Sequence, residues 1–77
     1  MKEVKIYSTP SCPYCRMAKD YLKEKGVEYQ DIDVSSDQDA LREMISLSGQ
    51  MGVPVIIVEG QVINGFDKSK IDSFIGQ

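Results

Sequence analysis

The sequence has no histidine and no tryptophan, and it has only two cysteines among 77 residues. Without histidine the chain has no imidazole base, no Ser-His or Cys-His catalytic pair and no histidine ligand for a metal. A four-ligand zinc site would need carboxylates or a second chain. Nine basic and twelve acidic residues give a net charge of −3, which argues against a nucleic-acid partner. No apolar run approaches the ~18 residues of a membrane span, so we expect no membrane partner.

A chain of this length provides one domain, residues 1–77, with a thin hydrophobic core. Small domains are often stabilised by disulfides. Here Cys12 and Cys15 lie within one short segment, and a bridge between them would close too small a loop to add much stability. Residues 1–4 lead directly into a strand-like pattern, so we expect no signal peptide. Sparse, paired cysteines then predict a protein of the reducing cytoplasm.

The hydrophobic pattern changes its period several times along the chain, which is typical of alternating strands and helices. It predicts strands at roughly 3–8, 27–34, 55–58 and 61–63. Helices are predicted at roughly 13–25, between the cap at Ser36 and Gly49, and after Asp67. The order β-α-β-α-β-β-α predicts an α/β fold, a four-stranded mixed sheet flanked by three helices. Its first βαβ unit is right-handed with parallel strands, and its last two strands form an antiparallel hairpin.

Several residues mark the ends and the buried faces of these elements. Pro13 is favoured at the first position of a helix, Ser36 and Asp39 fit a capping box, and Gly49 is a suitable helix stop. The β-branched run Val55–Val58 predicts a strand that is buried on both faces. The apolar helix faces are predicted to contain Met17, Ala18, Tyr21 and Leu22, then Leu41, Met44, Ile45 and Leu47, and finally Ile71, Phe74 and Ile75.

The two cysteines lie where the first strand passes into the first helix, in the tetrad Cys12-Pro13-Tyr14-Cys15. Unpaired amides at a helix start favour thiolate over thiol, and the thiolate is the nucleophile of disulfide exchange. Their spacing places Cys15 one turn inside the helix, where it is less exposed and can resolve a mixed disulfide formed on Cys12. A C-x-x-C segment beside a βαβ pattern in a cytosolic chain therefore indicates a redox function.

Other interpretations of these residues stay open at this point. The cysteine pair could be half of a zinc site, although the other half is missing, or two incidental buried residues. The turn residues Pro10 and Ser11 favour exposure over burial. Pro54 also has two interpretations. A cis Val53-Pro54 bond would present the backbone of Val53 to an extended thiol peptide beside the sulfurs. Alternatively, Pro54 simply begins the next strand.

Three motifs in order carry a resemblance to a known family: Cys12-Pro13-Tyr14-Cys15, Gly52-Val53-Pro54 and Gly65-Phe66-Asp67. Over Val4 to Ile75 the chain resembles the glutaredoxin branch of the thioredoxin superfamily, whose dithiol members typically carry the CPYC tetrad. The resemblance implies a thioredoxin-like fold and a monomeric thiol–disulfide oxidoreductase. Its substrates would be disulfide-containing or glutathionylated proteins. Glutathione would be the co-substrate that restores the enzyme, with no metal and no tightly bound cofactor.

The resemblance also implies roles for individual residues. Cys12 resembles the nucleophile and Cys15 the resolving thiol. Gln50 resembles a side chain that holds the glycine carboxylate of glutathione, and Asp67 one that meets its γ-glutamyl ammonium. The full set of implied glutathione contacts is Tyr14, Gln50, Val53, Pro54, Gly65, Phe66 and Asp67. Three of these also have ordinary structural interpretations, as a first-turn aromatic (Tyr14), a polar loop residue (Gln50) and a helix N-cap (Asp67).

The sequence also departs from the family pattern, which leaves alternatives for its function. Thr9 stands where many glutaredoxins carry a lysine, and Lys68 stands where a second acid is usual. The pair Gly65-Phe66 resembles the turn of small redoxins that serve ribonucleotide reductase and take electrons from thioredoxin reductase. Some glutaredoxins bridge a [2Fe–2S] cluster between two protomers, a function that a stiffening Pro13 disfavours. The basic residues of the first helix, Arg16, Lys19, Lys23 and Lys25, could attract the carboxylates of glutathione, but we interpret them as a solvated face.

Overall fold

The structure, a computed structural model, describes residues 3–75. Its elements are β1 (Val4–Ser8), α1 (Pro13–Glu24), β2 (Gln30–Asp33), α2 (Gln38–Ser48), β3 (Val55–Val58), β4 (Gln61–Asn64) and α3 (Lys68–Ile75). The strands form one sheet in the order β2-β1-β3-β4. β1 is parallel to β2 and antiparallel to β3, and β3 and β4 form an antiparallel hairpin. The predicted element order and the thioredoxin-like mixed sheet are confirmed.

Helices cover both faces of the sheet and bury two apolar layers. On one face α1 and α3 pack through Ala18, Leu22 and Ile71, and on the other face α2 packs through Met44. All four residues of the central strand Val55–Val58 are buried, as predicted. Complete burial of one such aliphatic side chain contributes about 1.5–3 kcal/mol. Within residues 3–75 no helix is long and apolar enough to cross a membrane.

β2 is shorter than the predicted strand 27–34. The Val27 N–H donates to the carbonyl oxygen of Leu22 at 2.9 Å, which holds the chain to the end of α1. Pairing with β1 therefore starts only at Gln30, which lies opposite Lys5. The alternation that suggested a longer strand comes from residues that pack against the core without joining the ladder, such as Tyr29.

The N-terminal cap of α2 is Asp37, one residue beyond the predicted Ser36. The Asp37 carboxylate accepts a hydrogen bond from the Ala40 N–H at 3.1 Å, whereas the Ser36 hydroxyl donates to the carbonyl oxygen of Asp33 at 3.4 Å. A carboxylate at a helix start gains from the helix dipole as well as from the hydrogen bond, which favours it over a hydroxyl. Gly49 ends α2 as predicted, in the left-handed conformation with φ 75°.

Two residues that were predicted to lie on the core-facing sides of their helices are exposed. Met17 on α1 has 47% of its surface exposed, and Leu47 on α2 has 49% exposed. The remaining predicted residues of the α1 face pack on the sheet, with Ala18 and Leu22 buried and Tyr21 half-buried. Met17 lies on the side of α1 that borders Cys12, so its exposure is a feature of the candidate site.

Candidate active site

The first turn of α1 positions Cys12. Cys12 is the N-cap of this helix, with an extended backbone (φ −91°, ψ 112°), and Pro13 follows at the first helical position. The Cys15 N–H donates to the Cys12 Sγ at 3.2 Å. A helix-start amide aimed at a sulfur is the arrangement that stabilises a thiolate, because the partial positive charge of the helix N-terminus lies at the sulfur. Cys12 is half-buried, so a substrate disulfide has access to its sulfur.

Cys15 lies one turn deeper and is 0% exposed. Burial, and then the hydrogen bond with Cys12, raise the pKa of the Cys15 thiol to about 12. Cys15 is therefore protonated at neutral pH, since burial in an apolar environment disfavours a thiolate. The sequence predicted that the second cysteine is the less exposed one, and the structure confirms this. The two sulfurs thus occupy different electrostatic environments within one helical turn.

A partly exposed ion pair lies beside this helical turn. The Lys19 Nζ is 2.9 Å from the Asp31 Oδ2, and the Ser8 hydroxyl donates to the Asp31 Oδ1 at 2.8 Å. The hydrogen bond with Asp31 raises the pKa of Lys19, so its positive charge is retained. That charge lowers the pKa of Cys15 and partly opposes the effect of burial. The prediction that Lys19 belongs to a solvated face is therefore wrong: its side chain is only 24% exposed and joins α1 to β2.

The loop before β3 provides the other side of the site. The Val53-Pro54 peptide bond is cis, and Pro54 directly precedes β3. The Cys12 Sγ lies 3.8 Å from the carbonyl oxygen of Val53. Next to this contact is an open groove of about 550 Å³, which we call the Val53 groove. It is lined by Tyr14, Val53, Pro54, Asn64, Gly65, Phe66, Asp67, Lys68 and Ser69.

The turn between β4 and α3 closes the far end of the Val53 groove. Gly65, at φ 83°, adopts a conformation that suits glycine, and its N–H donates to the carbonyl oxygen of Pro54 at 2.9 Å. This hydrogen bond ties the turn to the loop that contacts Cys12. The Asp67 carboxylate accepts from the Lys70 N–H at 3.2 Å and caps α3. Asp67 is thus an N-cap, and it also lines the groove.

The structure brings together six of the seven residues that the sequence suggested as glutathione contacts. Gln50 is the exception, because it lies exposed beyond the end of α2 and does not line the Val53 groove. Its carbonyl oxygen accepts from the Ser48 hydroxyl at 3.0 Å. Asn64 and Ser69 line the groove but were not identified from the sequence. Their positions next to the Gly65 turn were the available signal.

A second groove, of about 690 Å³, borders Cys12 and was not foreseen from the sequence. We call it the Arg16 groove. It is lined by Thr9, Pro10, Ser11, Cys12, Pro13, Arg16, Met17, Lys19, Asp20, Lys23 and Tyr29. The basic residues of α1 that line it recur at helical spacing, which was the available signal. Within residues 3–75 there is no group of three or more histidine, cysteine, aspartate or glutamate side chains that could hold a metal ion.

A dithiol at the start of a helix, next to a Val-Pro loop and on this mixed sheet, defines a thiol–disulfide redox protein of thioredoxin-like fold. The Glutaredoxin family model matches residues 4–63. The chain belongs to the glutaredoxin family, which indicates thiol oxidoreductase activity.

Individual relatives agree with this assignment. The chain is 50% identical over 72 residues to an uncharacterized glutaredoxin-like 8.6 kDa protein of the rubredoxin operon of Clostridium pasteurianum, covering 94% of this chain and 96% of that protein. It is 40% identical over 67 residues to glutaredoxin 3 of Escherichia coli K12, covering 87% and 81%. The crystal structure of a glutaredoxin from Archaeoglobus fulgidus superposes with a TM-score of 0.90 at 26% identity, covering 100% and 89%.

Proposed function

We propose that this protein is a glutathione-dependent thiol–disulfide oxidoreductase that reduces protein disulfides and protein–glutathione mixed disulfides. The observation that carries the proposal is the position of the Cys12 Sγ. It accepts the Cys15 N–H at 3.2 Å and lies 3.8 Å from the carbonyl oxygen of Val53, next to a groove. A sulfur at a helix start, beside a loop backbone and a groove, is suited to hold and attack an extended thiol peptide.

In the first step the Cys12 thiolate attacks one sulfur of the substrate disulfide. A Cys12–substrate disulfide forms, and the other substrate sulfur leaves as a thiolate that takes up a proton from water. The amide of Cys15 compensates the negative charge on Cys12 before attack, and no histidine is required. Because Cys12 is half-buried and Cys15 is 0% exposed, Cys12 is the sulfur that a large substrate reaches.

In the second step Cys15 loses its proton and attacks the Cys12 sulfur. The Cys12–Cys15 disulfide forms, the substrate leaves as a thiol, and two electrons have passed from the protein to the substrate. The raised pKa of Cys15, about 12, keeps this sulfur protonated in the free dithiol. Lys19, four residues further along α1 and paired to Asp31, places a positive charge near Cys15.

Glutathione then restores the dithiol in two exchanges. One glutathione thiolate attacks the Cys12–Cys15 disulfide and forms a Cys12–glutathione disulfide, and a second attacks the glutathione sulfur and leaves as glutathione disulfide. We assign the bound glutathione to the Val53 groove. The backbone of Val53 would pair with its cysteinyl part, Tyr14 and Phe66 would flank it, and Asp67 would meet its ammonium. The hydrogen bond from the Gly65 N–H to the carbonyl oxygen of Pro54 shapes one side of the Val53 groove.

We omit Gln50 from this binding site, because it lies outside the groove. No tightly bound cofactor is required by the two exchanges. We expect the protein to act as a monomer in the reducing cytoplasm, where a dithiol is kept reduced. A cluster-bridging function would instead give a coloured dimer after anaerobic purification, and a colourless monomer would contradict that function.

A coupled assay tests the proposal. Reduction of a protein disulfide and of a glutathionylated protein is followed with NADPH, glutathione and glutathione reductase. It is then repeated with NADPH and thioredoxin reductase in place of the glutathione system. The proposal expects turnover of both substrates in the first assay. No turnover in the first assay together with turnover in the second would contradict glutathione dependence while leaving the Cys12 chemistry intact.

One observation favours a second candidate, a redoxin reduced by thioredoxin reductase. Lys68 lines the Val53 groove, and its Nζ lies 5.9 Å from the ring centroid of Phe66 and 5.3 Å from that of Tyr21. Cation–π contacts of this kind hold an ammonium group in place. A fixed cation here opposes the γ-glutamyl ammonium of glutathione, and Thr9 adds no positive charge for the glycine carboxylate. The relative from Clostridium pasteurianum, a glutaredoxin-like protein in a rubredoxin operon, is consistent with this second candidate.

A further inference from the structure

Cys12 lies between two grooves, and the proposed glutathione chemistry uses only one of them. The Val53 groove and the Arg16 groove share no lining residue. Cys12 lines the Arg16 groove, while its Sγ contacts the carbonyl oxygen of Val53 on the other side. A substrate chain whose cysteine is joined to Cys12 therefore has room to continue along the Arg16 groove.

The Arg16 groove carries positive charge in a protein whose net charge is −3. Arg16 and Lys23 are exposed, whereas Lys19 is held by Asp31. Among the described residues that line this groove, Asp20 alone is acidic. An excess of positive charge at one site of an acidic protein attracts anionic groups selectively to that site.

We propose that the Arg16 groove binds an acidic segment adjacent to the reactive cysteine of a protein substrate. Arginine and lysine side chains bind carboxylates through charge-assisted hydrogen bonds. The exposed Met17 and the half-buried Tyr29 provide apolar surface along the same groove for the stems of glutamate side chains.

This inference rests on the proposed function only in that Cys12 attacks the substrate disulfide. The Cys12–substrate sulfur bond forms, the original disulfide breaks, and the leaving sulfur takes the electron pair and a proton. The acidic segment takes no part in the exchange. It raises the rate at which the substrate is captured, because opposite charges accelerate encounter and orient the partners.

Three peptide disulfides that differ in charge test the proposal. Each peptide carries one cysteine flanked on both sides by two glutamates, two glutamines or two lysines, and the cysteine is joined to 2-thiopyridine. Attack by Cys12 releases 2-thiopyridone, which is followed by absorbance in a stopped-flow instrument. We expect the glutamate peptide to react about fivefold faster than the glutamine peptide at low salt. The lysine peptide should be the slowest, and about 0.5 M salt should remove most of the difference.

Charge-reversal variants separate the groove from net charge. Arg16→Glu combined with Lys23→Glu should abolish or invert the ratio of the glutamate rate to the lysine rate. The matched comparison is Arg16→Glu alone against Arg42→Glu, which reverses the same charge on α2, at the opposite face of the sheet, where its side chain is 78% exposed. Arg42→Glu should keep the wild-type ratio. Asp20→Asn, which removes the acid from the groove, should increase the preference for the glutamate peptide.

The outcomes are distinct. Equal rates for the three peptides, or equal loss of preference in Arg42→Glu, would overturn the groove proposal while the Cys12 chemistry stands. If the double variant slows the reaction with glutathione disulfide as much as that with the glutamate peptide, the groove serves glutathione, and the proposal is wrong. A glutamine peptide that reacts no faster with wild type than with Cys12→Ser would overturn the proposed function itself, and the groove proposal with it.

Discussion

The two cysteines are one helical turn apart, and their surroundings differ in almost every respect. Cys12 is half-buried at the helix start, accepts an amide hydrogen bond and borders two grooves. Cys15 is 0% exposed, and burial raises its pKa to about 12. The same chemical group is thus prepared for attack in one position and held protonated in the other. We propose that depth in the fold and position on the helix make Cys12 the nucleophile and Cys15 the resolving thiol, with no help from histidine.

The substitution with the largest expected effect on turnover is Cys12→Ser, and it tests the difference between the two cysteines. A serine hydroxyl neither ionises at neutral pH nor forms a disulfide, so every exchange stops. We expect turnover to fall to background, a loss of at least about 10³-fold, with both protein-disulfide and glutathionylated substrates. The coupled assays measure it, and circular dichroism checks that the variant is folded. Residual turnover above that of Cys15→Ser would show that the roles are reversed.

Cys15→Ser should separate the two reactions. Deglutathionylation needs one thiol, because a second glutathione can resolve the Cys12–glutathione disulfide, so we expect that rate to stay within about threefold of wild type. Reduction of protein disulfides needs an internal resolving thiol and should fall about 100-fold. Both rates are measured with the same enzyme preparation. A loss of equal size in the two assays would contradict the division of roles between the cysteines.

Lys19 sharpens the comparison, because its charge lowers the pKa of Cys15. Lys19→Met removes that charge and leaves the Asp31 carboxylate without its partner, so the pKa of Cys15 should rise. A full unit would remove about 90% of the thiolate at a given pH; because the effect of Lys19 is much smaller than that of burial, we expect resolution to slow about twofold. The measurement is thiol release from a preformed Cys12 mixed disulfide as a function of pH.

The Lys19→Met profile should move to higher pH while attack by Cys12 keeps its own profile. Lys70→Met is the matched control. Lys70 is an exposed residue of α3, and the substitution removes the same charge outside both grooves. Equal shifts in Lys19→Met and Lys70→Met would mean that only net charge matters. An unshifted profile with a uniformly lower rate would indicate a packing defect and not an electrostatic function of Lys19.

The region around Cys12 illustrates what local sequence determines. The helix start at Pro13, the cap at Asp67 and the central strand Val55–Val58 are confirmed, because each depends on neighbours in the chain. The greater burial of Cys15 follows from its position one turn inside the helix that Cys12 caps. Local patterns therefore predicted the order of the elements, whereas the resemblance to glutaredoxins suggested most of the residues of the Val53 groove.

Features that depend on distant partners were missed. Lys19 was predicted to be solvated, because nothing near it in sequence indicates that β2 brings Asp31 to 2.9 Å. The start of β2 at Gln30 depends on its register with β1, and the Arg16 groove depends on how α1 lies against the following loop. Gln50 lies outside the groove, since its position follows from the path of the chain after α2. Such long-range pairings do not leave a periodic signal in the sequence.

The smallest expected effect is on stability at alkaline pH. The pKa of Cys15 is raised in the folded state, to about 12, above the ordinary value of about 8.5 that we take for the unfolded chain. The unfolded chain therefore loses its proton first, and the stability from Cys15 is complete below about pH 8.5 and declines as the pH rises toward the folded pKa. The decline is at most about 1.4 kcal/mol for each pH unit in that range.

Denaturant unfolding of the reduced protein between neutral and alkaline pH measures this decline. Tyr7 and Tyr21, whose pKa values are also raised to about 12, contribute a decline of the same sign above pH ~10, so the informative quantity is the difference between variants. Between neutral and alkaline pH, the free energy of unfolding should decline less in Cys15→Ser than in wild type. In Cys12→Ser it should decline almost as much as in wild type. Parallel curves for all three proteins would show that the buried Cys15 thiol does not titrate differently in the folded and unfolded states, and the electrostatic contrast between the cysteines would then be wrong.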